Sequence, residues 1–180
     1  MSRLTIPESI ADAPYASQSL LEAVQGKLGM VPNLFRLIGN NPAALQGYLS
    51  LTESLTEGIL HLQLQEAIAL AIAEANRCTY CLSAHSFIAA NLAKVPEDEI
   101  RSNRKGLSDD AKTQVALQFA VAVAELNGRV NDQLLNAVKQ AGFSDAEIIE
   151  IILHVALNTW TNSVNNVADT EVDFPLVIPF

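Results

Sequence analysis

Apolar residues recur at spacings of three and four along almost the whole 180-residue chain. This spacing places them on one face of an α-helix, whereas a half-buried strand would show strict alternation. No segment before the last few residues alternates in a sustained way. The sequence therefore predicts an all-α fold, in which helices joined by short loops pack as a bundle.

Capping residues and glycines divide this pattern into separate helices. Asn41 followed by Pro42 is typical of a helix start, and Ser144 with Glu147 has the spacing of a capping box. The predicted helices run from 42 to just before Gly58, then over about 62–75, 79–92, a short segment from 97, 109–126, 132–140 and 145–164.

The composition bears on domain organisation and assembly. Apolar residues make up 49% of the chain and charged residues 17%, which is more apolar surface than one domain of this size can bury alone. We therefore expect a homo-oligomer. A single domain is expected over 1–180, with an N-terminal segment at 1–30. The proline-broken stretch 169–180 is expected to be an extended C-terminal arm that lies on its own or a neighbouring subunit.

The charge disfavours two classes of partner. Twenty acidic and 11 basic residues give a net charge of −9 at pH 7, which repels phosphate backbones and anionic lipid, so we expect no nucleic-acid or membrane partner. The most apolar stretch lies between Glu66 and Glu74. It is shorter than the roughly 20 residues that a membrane-spanning helix needs. Because no secretory signal is recognisable, the expected location is the cytoplasm.

The two cysteines, Cys78 and Cys81, are three residues apart at the predicted start of a helix. In the cytoplasm an isolated pair is not expected to be a structural disulfide. A helix N-terminus favours the thiolate form of a cysteine, and a second thiol at this spacing can close a disulfide with the first. The pair is therefore predicted to be redox-active.

A histidine and a glutamate are predicted to lie beside this pair. His85 follows Cys81 by one helical turn, so its imidazole can accept the thiol proton. A turn centred near Asn76 would make the flanking helices antiparallel and bring Glu66 opposite His85. A carboxylate next to an imidazole orients the ring and increases its basicity. The sequence thus predicts a proton relay from Glu66 through His85 to Cys81.

The order of action of the cysteines is open at this stage. Position at the helix start favours Cys78 as the attacking thiolate, whereas proximity to His85 favours Cys81. We prefer Cys81 as the attacking and Cys78 as the resolving residue. The other histidines, His61 and His154, are expected to be structural.

Non-catalytic alternatives use the same residues. Cys78, Cys81 and His85 have zinc-type ligand spacing, and Glu66 could complete the set. A helical oligomer in which the dithiol only senses the redox state is the other alternative. For the preferred interpretation we expect neither a metal nor a cofactor.

The stretch EAIALAIAEANRCTYCLSAH resembles the signature of the alkylhydroperoxidase D-like branch of the carboxymuconolactone decarboxylase family. In that family a glutamate stands twelve residues before the first cysteine and a histidine four residues after the second. Here these positions are Glu66, Cys78, Cys81 and His85. The segments VPNLFRLIGNNPAALQGYL and SDAEIIEIILHVALNTWTNSVNNVADTEVDFP resemble peroxidase-related members, so the resemblance covers most of the chain beyond residue 30.

The resemblance implies an alkylhydroperoxidase D-like helical bundle assembled as a trimer or hexamer. It also implies reduction of hydroperoxides in antioxidant defence, without haem, flavin or metal, by a cysteine pair that cycles between dithiol and disulfide. The implied partners are a thiol reductant, such as a dihydrolipoyl protein, and a peroxiredoxin. The named alkylhydroperoxidase D proteins have a histidine where this chain has Tyr80. The decarboxylase branch generally lacks the cysteine pair and is the less favoured alternative.

Overall fold

The computed structural model describes residues 2–180, and within this range it contains helices and no strand. After a 3-10 turn at Ile10–Asp12, the elements are α1 (Tyr15–Leu28), α2 (Asn33–Ile38), α3 (Pro42–Thr56), α4 (Leu62–Ala75), α5 (Thr79–Asn91), α6 (Glu97–Arg104), α7 (Ala111–Glu125), α8 (Asp132–Gln140) and α9 (Asp145–Ala168). The all-α prediction is confirmed, and each predicted helix is present within a few residues of its expected bounds.

Three features differ from the sequence prediction. The helices α1 and α2 were not predicted, since both follow a proline N-cap without a side-chain capping bond and α2 is too short to show a period. Helix α9 continues four residues beyond Val164, to Ala168. It ends where Asp169 adopts a positive φ of 51°, a conformation that terminates helices.

The described residues form two compact units. The first contains residues up to Glu57 together with Val164–Asp173, and the second contains Gly58–Ser163 together with Phe174–Phe180. The expectation of one domain over 1–180 stays a prediction. Every residue of the predicted redox site belongs to the second unit.

Helix α4 is the central helix of the second unit. Its buried residues are Leu64, Glu66, Ala67, Ile68, Ala69, Leu70, Ala71, Ile72 and Ala73. A helix that is apolar on all sides is stable only when other elements surround it. Buried side chains of α7 and α9, including Leu117, Phe119 and Ile151, complete this core. Glu66 is therefore a carboxylate carried on a buried helix.

The arm at 174–180 lies against the second unit of its own chain, and as predicted it contains no helix. The backbone N–H of Val177 donates to Ser83 Oγ at 2.9 Å, and the N–H of Phe180 donates to Glu74 Oε1 at 2.7 Å. The Phe180 ring packs 4.0 Å from the Arg104 guanidinium carbon. The arm is thus fixed to α5 and to the ends of α4 and α6.

None of the helices in residues 2–180 has both the length and the apolarity needed to cross a bilayer.

Candidate redox site

The cysteine pair occupies the sharp turn between α4 and α5. Arg77 adopts a positive φ of 51°, and the N–H of Cys78 then donates back to Ala73 O at 2.9 Å. Cys78 is the N-cap of α5, so the predicted position at a helix start is confirmed. Cys78 and Cys81 are joined as a disulfide with their Cα atoms 5.3 Å apart, and their exposed fractions are 0% and 3%.

The helix terminus acts directly on one sulfur atom. Cys78 Sγ accepts the backbone N–H of Cys81 at 3.3 Å. In the reduced protein this N–H and the positive end of the helix dipole favour a thiolate on Cys78. The interaction supports the alternative in which Cys78 attacks, and the preference for Cys81 stays a prediction.

The predicted approach of Glu66 to His85 is confirmed. Because the chain reverses at residues 76–78, α4 and α5 are antiparallel, and His85 Nδ1 lies 2.9 Å from Glu66 Oε2. The Glu66 side chain is 10% exposed and that of His85 23% exposed. With Nδ1 directed at the carboxylate, Nε2 is the ring atom left to exchange a proton with another group. The contact thus determines which nitrogen of the imidazole can take part in proton transfer.

A second histidine belongs to this neighbourhood, although the sequence analysis treated it as structural. His154 on α9 is 5% exposed, and its Nε2 atom is buried without a hydrogen-bond partner. Burial lowers the pKa of His154 below its ordinary value of 6.5, Glu150 and Glu66 oppose that shift, and His85 adds to it. His154 therefore stands as a neutral imidazole in electrostatic contact with the Glu66–His85 pair.

Glu150 lies one turn before His154 and is hydrogen-bonded to the backbone that precedes α4. Its Oε2 accepts the N–H of Ile59 at 2.7 Å and its Oε1 accepts the N–H of Leu60 at 3.0 Å. A Cβ atom on Gly58 would collide with this carboxylate, so a larger residue there would displace it. These bonds keep Glu150 Oε1 4.0 Å from His154 Nε2.

Buried polar residues recur every four positions along α9. Glu150 and His154 are followed by Asn158 and Asn162, which are 4% and 0% exposed. Asn162 Oδ1 accepts a bond from Asn76 Nδ2 at 3.0 Å. Since Glu150 binds the backbone just before α4 and Asn162 binds the residue just after it, the two helices run parallel. This polar column is the signal by which the sequence could have indicated His154.

Across the described part of the chain, no three His, Cys, Asp or Glu side chains converge in an arrangement that could hold a metal ion. In this structure Cys78 and Cys81 form a disulfide, and His85, one helical turn after Cys81, is bound to the Glu66 carboxylate.

The part of the chain that holds these residues also matches a known protein family. Residues 42–125 match the model of the carboxymuconolactone decarboxylase family, and this range holds Glu66, Cys78, Cys81 and His85. Residues 42–125 belong to the carboxymuconolactone decarboxylase family. No curated protein matches the sequence.

Solved structures extend the comparison to nearly the whole chain. A peroxidase-related protein of Ralstonia eutropha JMP134 with an alkylhydroperoxidase AhpD core has a TM-score of 0.84 and 26% identity, over 96% of this chain and 92% of that one. A peroxidase-related protein of Silicibacter sp. TM1040 has a TM-score of 0.79 and 26% identity, over 95% and 94%. The debrominase Bmp8, in complex with 2,3,4-tribromopyrrole, has a TM-score of 0.78 and 23% identity, over 96% and 94%, which shows a shared fold. The fold is thus the alkylhydroperoxidase D-like helical fold of this family.

Proposed function

We propose that this member of the carboxymuconolactone decarboxylase family is a thiol-dependent peroxidase and disulfide reductase that reduces hydroperoxides. The observation that carries the proposal is the disulfide at the N-terminus of α5, one helical turn before a carboxylate-bound imidazole on the same helix. A helix N-terminus provides the field that a reactive thiolate needs, and the imidazole provides a base.

The oxidative half of the cycle uses both cysteines. The Cys81 thiolate attacks the terminal oxygen of the hydroperoxide, the O–O bond breaks, and the alkoxide leaves as an alcohol after taking a proton. The Cys81 sulfenic acid is then attacked by Cys78, the S–S bond forms, and water leaves with the thiol proton. Two thiols and one hydroperoxide give one disulfide, one alcohol and one water.

The proton that Cys81 gives up is assigned to His85. Glu66 orients the ring through Nδ1, so Nε2 accepts the thiol proton and returns it to the leaving alkoxide. Tyr80 stands where named alkylhydroperoxidase D proteins have a histidine. Its ring packs edge-on against Phe174, with centroids 5.9 Å apart, and we assign no proton transfer to it.

The reductive half requires an external thiol donor. A donor thiolate attacks the Cys78–Cys81 disulfide, a mixed disulfide forms, and the donor's second thiol releases the reduced protein. A dihydrolipoyl protein is the proposed donor, and a peroxiredoxin is a further proposed partner. We also propose a cytoplasmic homo-oligomer, a trimer or hexamer, acting in antioxidant defence.

The deciding experiment is thiol titration with intact mass measurement, before and after stoichiometric tert-butyl hydroperoxide. We expect the reduced protein to lose both free thiols and two hydrogens, and dithiothreitol or dihydrolipoamide to reverse the change. Turnover with excess dihydrolipoamide then separates an enzyme from a redox sensor, which would form the disulfide without sustained peroxide consumption. Two thiols that stay unreactive in metal-free protein would contradict the proposal.

A further inference from the structure

The outer side of helix α9 is apolar, whereas the solvent-facing side of a surface helix normally carries charged and polar residues. Over residues 148–163, the exposed positions are Ile149, Ile152, Leu153, Ala156, Trp160 and Ser163, which we call the α9 stripe. The two titratable residues of this range, Glu150 and His154, are both buried. The α9 stripe is therefore a solvent-exposed surface without a charged side chain.

The spacing of the α9 stripe is that of a helix-packing face. Ile149, Leu153, Ala156, Trp160 and Ser163 follow one another at intervals of four and three residues, the heptad pattern by which two helices pack side by side. The large apolar side chains of the stripe are exposed by 38–67%. The stripe extends over about 21 Å of helix, so it can accommodate one partner helix of about four turns.

The net charge favours a second copy of this chain as the source of that helix. Each chain carries a charge of −9 at pH 7, so two copies repel one another over most of their surfaces. The α9 stripe adds no charge to a contact, and covering it leaves no charge of its own buried without a partner. A basic partner selected by charge complementarity would find no carboxylate in the stripe.

The order of residue sizes along the stripe fits an antiparallel copy of itself. A two-fold axis at Ala156 places this residue next to its own symmetry mate, where the small side chains let the two backbones approach closely. The same axis places Ile149 opposite Ser163, so that a large side chain meets a small one. It also places Ile152 opposite Trp160, which forms an apolar pair on either side of the centre.

We propose that the α9 stripe is a two-fold interface between two copies of this chain, formed by antiparallel pairing of their α9 helices about Ala156. This inference rests on the homo-oligomer of the proposed function and names the surface that forms it. A two-fold contact joins subunits in pairs. It therefore fits the hexamer and not a trimer with a three-fold axis alone.

Sedimentation velocity of the full chain in its disulfide form, with Ile149→Glu as the variant, tests the interface. We expect an even number of subunits in the original chain. Ile149→Glu buries a charge in the contact and is expected to raise its dissociation constant by about 100-fold, which leaves species of at most half the original mass. The matched control is Leu92→Glu, which adds the same charge at the end of α5, where Leu92 is 65% exposed and Ile149 is 67% exposed. The control is expected to keep the original mass.

Two results of this measurement would overturn the proposal. A chain that is monomeric or has an odd number of subunits has no such two-fold contact, and the stripe would then be left to a protein of different sequence. An Ile149→Glu variant that keeps the original mass would place the contact between copies elsewhere.

The double variant Ile149→Glu with Ser163→Lys tests the antiparallel pairing itself. In the proposed pair, the carboxylate introduced in one copy faces the ammonium group introduced in the other, whereas within one chain the two positions are about 21 Å apart along the helix. We expect the double variant to regain the original mass. A double variant that retains its helical circular dichroism but stays at half mass would overturn the pairing. These measurements use no peroxide, so failure of the interface and failure of the proposed peroxidase activity are observed separately.

Discussion

His85 Nδ1 lies 2.9 Å from Glu66 Oε2, across the antiparallel pair α4 and α5. This contact links a residue on the buried helix α4 to α5, the helix whose N-cap is Cys78. Because Glu66 is fixed by the core, the imidazole is oriented by the fold and not by flexible surface groups. Its Nε2 is therefore presented in one direction, which is what a proton relay needs.

Glu66→Gln tests this orientation. The amide can still contact Nδ1, but it lacks the negative charge that balances the imidazolium formed during proton transfer, so we expect peroxide reduction to slow by about 10²-fold. The matched control is Glu74→Gln, which removes a carboxylate of similar burial from the same helix. Stopped-flow peroxide consumption at fixed thiol concentration measures both. Equal rates for the two variants would show that Glu66 has only a structural role.

Single cysteine variants decide the order of attack. Cys81→Ser is expected to abolish reaction with stoichiometric hydroperoxide, because it removes the thiolate that we place nearest to His85. Cys78→Ser is expected to react once and stop as a sulfenic acid, which a dimedone adduct detects by mass. The opposite pattern would assign the attack to Cys78, whose sulfur accepts the Cys81 N–H.

The α4–α5 part of the site could be predicted because its determinants are local. The break at Asn76 and the helical spacing of Cys81 and His85 suffice to bring Glu66 opposite His85. Only the turn and one antiparallel pair are involved, and both are visible within twenty residues of sequence. The signature of the family lies in the same stretch.

The α9 part could not be predicted in the same way. His154 reaches the Glu66–His85 pair only because α9 runs parallel to α4, with Glu150 binding Leu60 at one end and Asn162 binding Asn76 at the other. Those contacts join residues 90 and 86 positions apart. Helical periodicity shows which face of α9 is buried, but it does not specify which helix that face meets.

Gly58→Ala tests the anchoring of Glu150. A methyl group at this position meets the carboxylate that holds the N–H groups of Ile59 and Leu60, so we expect a loss of about 1–3 kcal/mol in the free energy of unfolding. Gly47→Ala is the control, since a Cβ there meets no atom and alanine favours a helix by about 1 kcal/mol. Urea denaturation of both variants measures the difference. If Gly58→Ala and Gly47→Ala have the same free energy of unfolding, the Glu150 carboxylate moves aside without cost.

The depressed pKa of His154 predicts how stability changes with pH. The unfolded chain binds a proton at this residue at a higher pH than the folded protein does, so the unfolding free energy falls as the pH drops through the ordinary histidine range. His154→Gln removes this group, so we expect a weaker loss of stability between about pH 7 and 5. Above that range the pH dependence of the variant should follow that of the original chain.

Urea midpoints measured across this pH range, with His61→Asn as the control, test the prediction. In this control asparagine replaces the exposed histidine at the N-cap of α4, and asparagine can also cap a helix. If His154→Gln shows the same acid sensitivity as that control, His154 takes up its proton equally in the folded and unfolded states. The buried, neutral imidazole inferred from the structure would then be wrong.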